Sequence, residues 1–217
     1  MKHFLAVTGN IGAGKTSLAR KLADFFDWEL CDEPFTVNPY LENYYQDMAK
    51  WSFHCETSFL SLRLENHISI LKKEHSVIQD RCIYEGAEMF VRYLYKNGLL
   101  NETDWQTYRH LYNTTCSLIT PPDLIVYIKS SPARCIRNIK QRNRDLDSNV
   151  DPKYIADLHE LYEDWEKTFK ICPILVANAD ENDFKLNEQA FQKLTAEIQE
   201  KLRLYKLPLE FSSAKSA

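Results

Sequence analysis

The chain is poor in features that mark secreted, membrane and zinc-binding proteins. Its six cysteines form no C-x-x-C pair and show no zinc-ligand spacing, which argues against a disulfide framework or a structural zinc site. No apolar run reaches the length of a membrane-spanning helix, and the first residues enter a strand pattern with no signal peptide. We therefore expect reduced thiols in a cytoplasmic protein, and leave open an organelle-targeting peptide that has been removed.

Neither sign of charge dominates the 217 residues. The net charge of −4 gives no overall attraction to nucleic acid or to an anionic membrane, so neither is an expected partner. The length suits one globular domain, and no repeat or low-complexity linker divides it. We predict a single domain over residues 1–204 and a loose tail over 205–217, where periodicity is lost and the residues become small and polar.

Strand and helix patterns alternate along this domain. Short apolar runs predict five strands, at residues 4–8, 28–32, 76–80, 124–129 and 174–177. Helical stretches lie between them, and a capping residue before proline at 38–39, 131–132 and 151–152 predicts three helix starts. This alternation predicts an α/β fold with a five-stranded parallel sheet and helices on both faces, in which ligands gather at the carboxyl ends of the strands.

Glycine is scarce, and three of the five glycines fall in one short segment. Residues 9–16 complete the phosphate-loop pattern G-x-x-x-x-G-K-[ST] between a predicted strand and a predicted helix. Backbone N–H groups and the helix N-terminus would surround a polyphosphate, while Lys15 reaches its outer phosphates and the Thr16 hydroxyl ligates Mg²⁺. The candidate ATP-binding residues here are Gly9, Asn10, Ile11, Gly12, Ala13, Gly14, Lys15, Thr16 and Ser17.

Acidic residues follow the second and third predicted strands. Glu33 ends one strand and Asp80 the other, and both strand tips face the phosphate loop in a sheet of this kind. Phosphoryl transfer needs mainly positioning and charge neutralisation, so one acid would hold Mg²⁺ and another would accept the proton of an attacking hydroxyl. The alternatives are a solvated strand end at Glu33 and an ordinary surface ion pair between Asp80 and Arg81.

A long predicted helix after residue 50 carries polar residues amid apolar ones. Glu56 and Arg63 lie seven residues apart on one face, about 10 Å along the axis. That spacing is too long for an easy direct pair and suits two edges of a flat heterocycle, although a face that emerges into solvent would show the same pattern. His67 follows on this face, and we interpret it as structural.

A basic segment over 134–144 follows the fourth predicted strand. If it is helical throughout, Arg137, Lys140 and Arg144 share a face, while Arg142 points elsewhere. Such cations could neutralise transition-state charge from a lid that closes over phosphates. A basic helix is more often a solvated face, and the phosphate loop upstream favours the lid.

Taken together, these motifs resemble the deoxynucleoside kinase family over nearly the whole chain. The phosphate loop is shared by many families, but the complete set in this order is specific. The resemblance rests on the loop and on Glu33-Pro34, Tyr44-Tyr45, Lys50 to Phe53, Asp80 to Glu85, Arg142-x-Arg144, Tyr154 to Trp165 and Asp183-Phe184.

The resemblance implies a P-loop kinase with a helical lid that transfers the γ-phosphoryl group of ATP to a deoxynucleoside 5′-hydroxyl. It implies that Glu33 is the general base, that Arg81 orients the hydroxyl and the phosphate, and that Asp80 serves the Mg²⁺ site. It also implies a homodimer. Its remaining implications are that Tyr45 and Asp147 hold the 3′-hydroxyl, that Arg142 and Arg144 are lid cations, and that Asp183 and Phe184 contact the donor adenine.

The chain departs from the family pattern around the nucleobase. Glu56 replaces a glutamine, Gly86 replaces the aspartate that accompanies the base-contacting Arg63, Cys82 replaces a serine, and the lid has Asn138 where arginine is common. An ionised glutamate only accepts hydrogen bonds, which suits the two N–H donors of guanine, while Arg63 could donate to O6 and N7. Deoxyguanosine is therefore the expected acceptor, whereas a protonated Glu56 would mimic glutamine and restore the other bases.

Two other functions fit parts of this pattern. A nucleoside monophosphate kinase has a similar phosphate loop, but Glu33 would repel its acceptor phosphate. A catalytically silent nucleotide-binding subunit could share the fold, although Lys15, Thr16 and Asp80 are all present. We therefore expect an active enzyme with Mg²⁺, ATP and a deoxynucleoside as its small-molecule ligands.

Overall fold

A computed structural model describes residues 2–33, 37–142 and 150–205, with only the backbone at position 205. Its centre is a five-stranded parallel sheet in the order β2-β3-β1-β4-β5. The strands are β1 (Phe4–Gly9), β2 (Glu29–Cys31), β3 (Val77–Asp80), β4 (Leu124–Lys129) and β5 (Ile174–Asn178). All five predicted strands are confirmed, with β2 reduced to three residues.

Helices cover both faces of the sheet, as predicted. They are α1 (Lys15–Phe26), α2 (Leu41–Gln46), α3 (Met48–Lys72), α4 (Ile83–Glu85), α5 (Arg92–Lys96), α6 (Glu102–Leu118), α7 (Pro132–Arg142), α8 (Pro152–Thr168) and α9 (Glu188–Tyr205). A π-helical segment, Gly86–Val91, joins α4 directly to α5. None of the helices in the described ranges is both long and apolar enough to cross a membrane.

Side-chain alternation along the strands builds a core on each face. In β4, Leu124, Val126 and Ile128 pack with α1, α7 and α9, whereas Ile125 and Tyr127 pack with α3, α6 and α8. Successive strand residues point to opposite faces, so a strand buried on both sides must be apolar throughout. This is why β1 and β4 read as continuous apolar runs.

The proline signals mark two helix starts correctly and one incorrectly. α7 begins at Pro132, and α8 begins at Pro152 with the Asp151 side chain accepting from the Lys153 N–H. The start predicted at 38–39 is wrong, because α2 begins at Leu41. The Asn38 side chain instead donates to the Cys55 carbonyl of α3 and accepts from the Tyr40 N–H, so it fastens a turn to the neighbouring helix.

The six cysteines are all within the described ranges and are free thiols. Cys55, Cys82, Cys135 and Cys172 are buried in the apolar cores, as the sequence predicted for packed thiols. Helix α9 ends at Tyr205. The predicted tail beyond it, 206–217, lies outside the described residues and stays a prediction.

Gly12 in the phosphate loop packs closely against α7, and we predict that alanine there is destabilising. Gly12 has φ of +79°, and a Cβ atom would lie 2.4 Å from the Cys135 carbonyl oxygen. Gly98 has a similar φ of +70° but no neighbour within 4 Å. Gly98→Ala should therefore lower the free energy of unfolding only by the left-handed backbone penalty, about 1–2 kcal/mol. Gly12→Ala should lower it by roughly a further 1–3 kcal/mol, because the new side chain also overpacks the contact with α7. Urea unfolding of both variants measures the difference, and equal losses would contradict the clash.

Candidate active site

The phosphate loop leads from β1 into α1 as the pattern predicted. The Lys15 ammonium donates to the carbonyl oxygens of Gly9 and Asn10, each at 2.9 Å. Burial and the nearby Arg81 guanidinium lower the pKa of Lys15 to about 8. The Asn10 side chain secures the loop, because it donates to the Ile155 carbonyl and accepts from the Ile11 N–H. A triphosphate would offer Lys15 anionic partners in place of these two carbonyls.

Asp80 and Thr16 meet at the loop. The Thr16 hydroxyl donates to Asp80 Oδ2 at 2.5 Å, whereas the buried Oδ1 has no hydrogen-bond partner among the described residues. Burial raises the pKa of Asp80. In the described part of the chain no three His, Cys, Asp or Glu residues gather as a metal cage, which is the usual situation for Mg²⁺ held by one or two side chains, phosphates and water. The two oxygen donors therefore fit Mg²⁺.

Glu33 lies between two buried guanidinium groups. Its Oε1 atom accepts from Arg81 Nε at 2.8 Å and from Arg63 Nη2 at 3.0 Å. Burial alone would raise the pKa of Glu33, but Arg81 and Arg63 together lower it to about 2. The carboxylate is thus ionised at any physiological pH, and it stands at the end of β2 beside the phosphate loop, as predicted.

Arg81 is held in place by Glu85, a residue to which the sequence analysis assigned no role. Arg81 adopts a left-handed backbone conformation with φ of +65°, which is uncommon for a residue with a side chain. Glu85 is fully buried and accepts from Arg81 Nη1, the Tyr162 hydroxyl and the Cys82 N–H at 3.1, 2.6 and 3.1 Å. The available sequence signal was an acid one helical turn after an arginine, within an apolar stretch.

Glu56 and Arg63 occupy one buried face of α3, as their spacing predicted. They are 5% and 4% exposed, and no direct bond between them is observed. Glu56 Oε2 and Arg63 Nε and Nη1 have no hydrogen-bond partner among the described residues. Burial raises the pKa of Glu56 to about 7, against the opposing influence of Arg63. Buried polar atoms of this kind are costly without partners, which favours a ligand-binding face over a solvated one.

Arg63 has two neighbours that bear on the same face. Gly86 and the Tyr108 hydroxyl both lie close to Arg63, and a Cβ atom on Gly86 would come within 2.9 Å of Arg63 Nη1 and 3.2 Å of the Tyr108 hydroxyl oxygen. His67, in contrast, bonds through Nε2 with the Thr120 carbonyl at 2.8 Å and packs edge-on against Phe4. This environment agrees with the structural interpretation of His67.

Of the remaining predicted residues, Tyr45, Asp183, Phe184 and Arg142 lie in the described ranges. Tyr45 is exposed on α2, next to the Tyr44 ring. Asp183 pairs with Arg134 at 3.2 Å, and the Phe184 carbonyl accepts from Lys21, so the 183–184 loop contacts both α7 and α1. Arg142 is exposed at the end of α7. Arg144 and Asp147 lie outside the described residues.

Asn138 connects α7 to the phosphate loop. Its Nδ2 donates to the Gly12 carbonyl at 2.8 Å, whereas Arg137 and Lys140 on the same helix are exposed. The asparagine that stands here in place of the family's common arginine therefore gives the loop an uncharged hydrogen-bond donor. Arg137 and Lys140 therefore lie on the solvent side of the helix.

Comparison with known proteins agrees with this geometry. The family model described as "Deoxynucleoside kinase" matches residues 5–203. A deoxyadenosine kinase of Lactobacillus acidophilus is 32% identical over 94% of this chain and 98% of that protein. A deoxyguanosine kinase of Bacillus subtilis is 29% identical over 91% and 96%. The solved structure of a deoxyadenosine kinase from M. mycoides with bound dATP has a TM-score of 0.80, with 25% identity over 91% of this chain and 99% of that one.

We predict that removing the Glu85 carboxylate destabilises the protein strongly. Glu85→Ala leaves the buried Arg81 guanidinium without one of its two ionic partners and should lower the free energy of unfolding by about 3–5 kcal/mol. Glu88→Ala is the matched control, because Glu88 pairs with Arg109 where both side chains are partly exposed, and we expect a loss of at most about 1 kcal/mol. Denaturant unfolding measures both, and a small loss for Glu85→Ala would contradict a role for this carboxylate in holding Arg81.

Proposed function

This chain belongs to the deoxynucleoside kinase family, and we propose that it transfers the γ-phosphoryl group of ATP to the 5′-hydroxyl of a purine deoxynucleoside, with deoxyguanosine preferred. The observation that carries the proposal is the Glu33 carboxylate, held by Arg63 and Arg81 beside the phosphate loop. In this role Glu33 accepts a hydrogen bond from the 5′-hydroxyl and takes its proton, while Arg81 orients the hydroxyl and the transferred group.

The low pKa of Glu33 suits a positioning carboxylate. In a loose phosphoryl-transfer transition state the attacking hydroxyl keeps its proton until late, so a weak base at the right distance is sufficient. Arg63 is shared between Glu33 and the proposed base-binding face, and a bound nucleobase that draws Arg63 away would raise the pKa of Glu33. Substrate binding and proton acceptance are thereby connected through one guanidinium.

The phosphate side of the site follows the loop. Lys15 and the loop N–H groups bind the β- and γ-phosphates, and Arg142 and Arg144 approach them from the lid. Thr16 and Asp80 would hold Mg²⁺, which neutralises charge on the phosphates when bound. Asp183 and Phe184 contact the donor adenine, and Tyr45 and Asp147 hold the 3′-hydroxyl of the acceptor.

The preference for deoxyguanosine is proposed from Glu56 and Arg63. An ionised Glu56 accepts from N1–H and the exocyclic amine of guanine, and Arg63 donates to its opposite edge. The two relatives above are named for different bases, so the preference has to come from the residues of this chain. A protonated Glu56 would instead mimic glutamine and restore adenine, cytosine and thymine as candidates, which is the competing outcome.

Two observations argue against the alternative functions, a monophosphate kinase and a silent nucleotide-binding subunit. A monophosphate kinase would place an acceptor phosphate next to the Glu33 carboxylate, where like charges repel. A silent subunit is disfavoured because the members of this family are phosphotransferases. We retain as proposals a homodimer, a cytoplasmic location and one domain over residues 1–204.

We predict that Glu33→Gln lowers kcat with deoxyguanosine by about 10²–10⁴-fold, the range for loss of a general base. The amide keeps the shape of the side chain, so the thermal unfolding temperature and circular dichroism should show an intact fold. Asp32→Asn is the matched control, because Asp32 is an adjacent carboxylate that is exposed and 3.7 Å from Arg20. Turnover that survives in Glu33→Gln, or a wild type inactive on deoxyguanosine, deoxyadenosine, deoxycytidine and thymidine, would contradict the proposal.

We also predict a pH dependence that reports on Glu56. Because its pKa is about 7, the acceptor form is populated above that pH, and kcat/KM for deoxyguanosine should fall by up to about tenfold per unit as the pH is lowered below it. Glu56→Gln should abolish this acidic limb and lower the ratio of kcat/KM for deoxyguanosine over deoxyadenosine. An acidic limb that persists in Glu56→Gln, or an unchanged base preference, would contradict the role of Glu56.

A further inference from the structure

The Tyr162 hydroxyl lies between two acceptors that belong to different parts of the site. Its oxygen is 2.6 Å from Glu85 Oε1 and 2.9 Å from the Gly9 carbonyl oxygen. Glu85 is the ionic partner of Arg81, whereas Gly9 begins the phosphate loop. Tyr162 is fully buried, and its ring lies parallel to the Tyr127 ring with 5.6 Å between the centroids, so packing fixes the position of the hydroxyl.

A tyrosine hydroxyl has one hydrogen and can donate fully to only one of these acceptors at a time. Burial raises the pKa of Tyr162 well above its usual range, so the hydroxyl keeps that hydrogen at physiological pH. In the structure the Gly9 carbonyl also accepts from the Lys15 ammonium at 2.9 Å. The tyrosine hydrogen is therefore available to Glu85, which is the nearer acceptor.

Binding of a triphosphate changes which acceptor needs the hydrogen. In the proposed function Lys15 leaves the Gly9 carbonyl for the phosphates, and Tyr162 is then the one side-chain donor to that oxygen in the described part of the chain. A buried carbonyl without a donor is costly. Glu85 tolerates the loss better, because it also accepts from Arg81 Nη1 and from two backbone N–H groups.

We propose that Tyr162 is a positioning residue for ATP binding: its hydroxyl turns from Glu85 to the Gly9 carbonyl when the loop lysine moves to the phosphates. The proposal rests on the proposed function and deepens it. Glu85 then accepts one hydrogen bond fewer, so its charge acts more strongly on Arg81. One hydroxyl thereby connects the occupancy of the phosphate loop with the residue proposed to orient the 5′-hydroxyl.

The first test is Tyr162→Phe, which removes the hydroxyl and keeps the ring. The probe is the Mg²⁺ complex of β,γ-imido-ATP, a non-hydrolysable ATP analogue, and calorimetric titration measures its Kd. We expect the Kd to rise roughly two- to tenfold, the range for one lost hydrogen bond. Tyr127→Phe is the matched control, because the neighbouring ring then loses a hydroxyl that lies near Glu163 instead, and its Kd should equal that of the wild type. An unchanged Kd in a folded Tyr162→Phe protein would overturn the proposal.

A double-mutant cycle with Lys15→Met separates this role from a general effect on packing. Without the lysine, the Gly9 carbonyl needs the tyrosine hydrogen both with and without the nucleotide, so Tyr162→Phe should no longer change the Kd. A rise of the Kd by the same factor in both backgrounds would overturn the role of Tyr162. A wild type that neither binds the analogue nor phosphorylates a deoxynucleoside would instead overturn the proposed function.

A carbonyl measurement tests the same step without Tyr162→Phe, in case that variant does not fold. Gly9-Asn10 is the only Gly-Asn pair in the sequence, so labelling with carbonyl-¹³C glycine and ¹⁵N asparagine gives one correlated NMR signal from this peptide bond. The carbonyl shift moves to lower ppm when the oxygen loses its hydrogen-bond donor. We expect it to keep its hydrogen-bonded value in Lys15→Met, and in the wild type saturated with β,γ-imido-ATP, because Tyr162 replaces the lysine in both. A move to lower ppm in either sample would overturn the proposal.

Discussion

A single carboxylate shared by two buried guanidiniums organises the candidate active site. Glu33 accepts from Arg63 and Arg81, and Glu85 balances Arg81 from the other side. Buried charges are strongly destabilising when a partner is removed. Because Arg63 lies on α3, Arg81 follows β3 and Glu85 lies in α4, these ion pairs connect three elements to one another. The Glu85 carboxylate also accepts a hydrogen bond from the Gly9 N–H at 3.3 Å. The phosphate loop is therefore part of the same network of hydrogen bonds and ion pairs.

Other polar groups in the site are left unpaired, and their distribution is informative. Glu56 Oε2, Arg63 Nη1, the Tyr108 hydroxyl and Asp80 Oδ1 lack partners among the described residues. Natural proteins accept such local cost mainly at functional sites. Glu56 and Arg63 lie on α3, Tyr108 lies on α6, and Asp80 lies at the end of β3 beside the phosphate loop. These unpaired groups therefore fall on the proposed nucleobase side and the proposed metal side of the site.

Local signals explain which parts of the site could be predicted from sequence. The phosphate loop is contiguous, and its glycines and its Lys15 are set by backbone conformation within a few residues. Strand tips such as Glu33 follow from the parallel fold. The role of Asn138 could not be found this way, because its side chain bonds the Gly12 carbonyl 126 positions away. Asn38 misled the prediction for the same reason, since its side chain bonds a residue 17 positions away.

The sequence by itself determined the fold class, the phosphate loop and the family, because short-range periodicity and contiguous motifs encode them. Only the tertiary structure decided that Glu85 holds Arg81, that Asn138 bonds α7 to the Gly12 carbonyl, and that Gly86 packs directly against the end of Arg63. These features depend on which distant side chains meet in three dimensions. The physical reason is that hydrogen bonds and charge pairs act over about 3 Å in space, whereas a sequence pattern records separation along the chain alone.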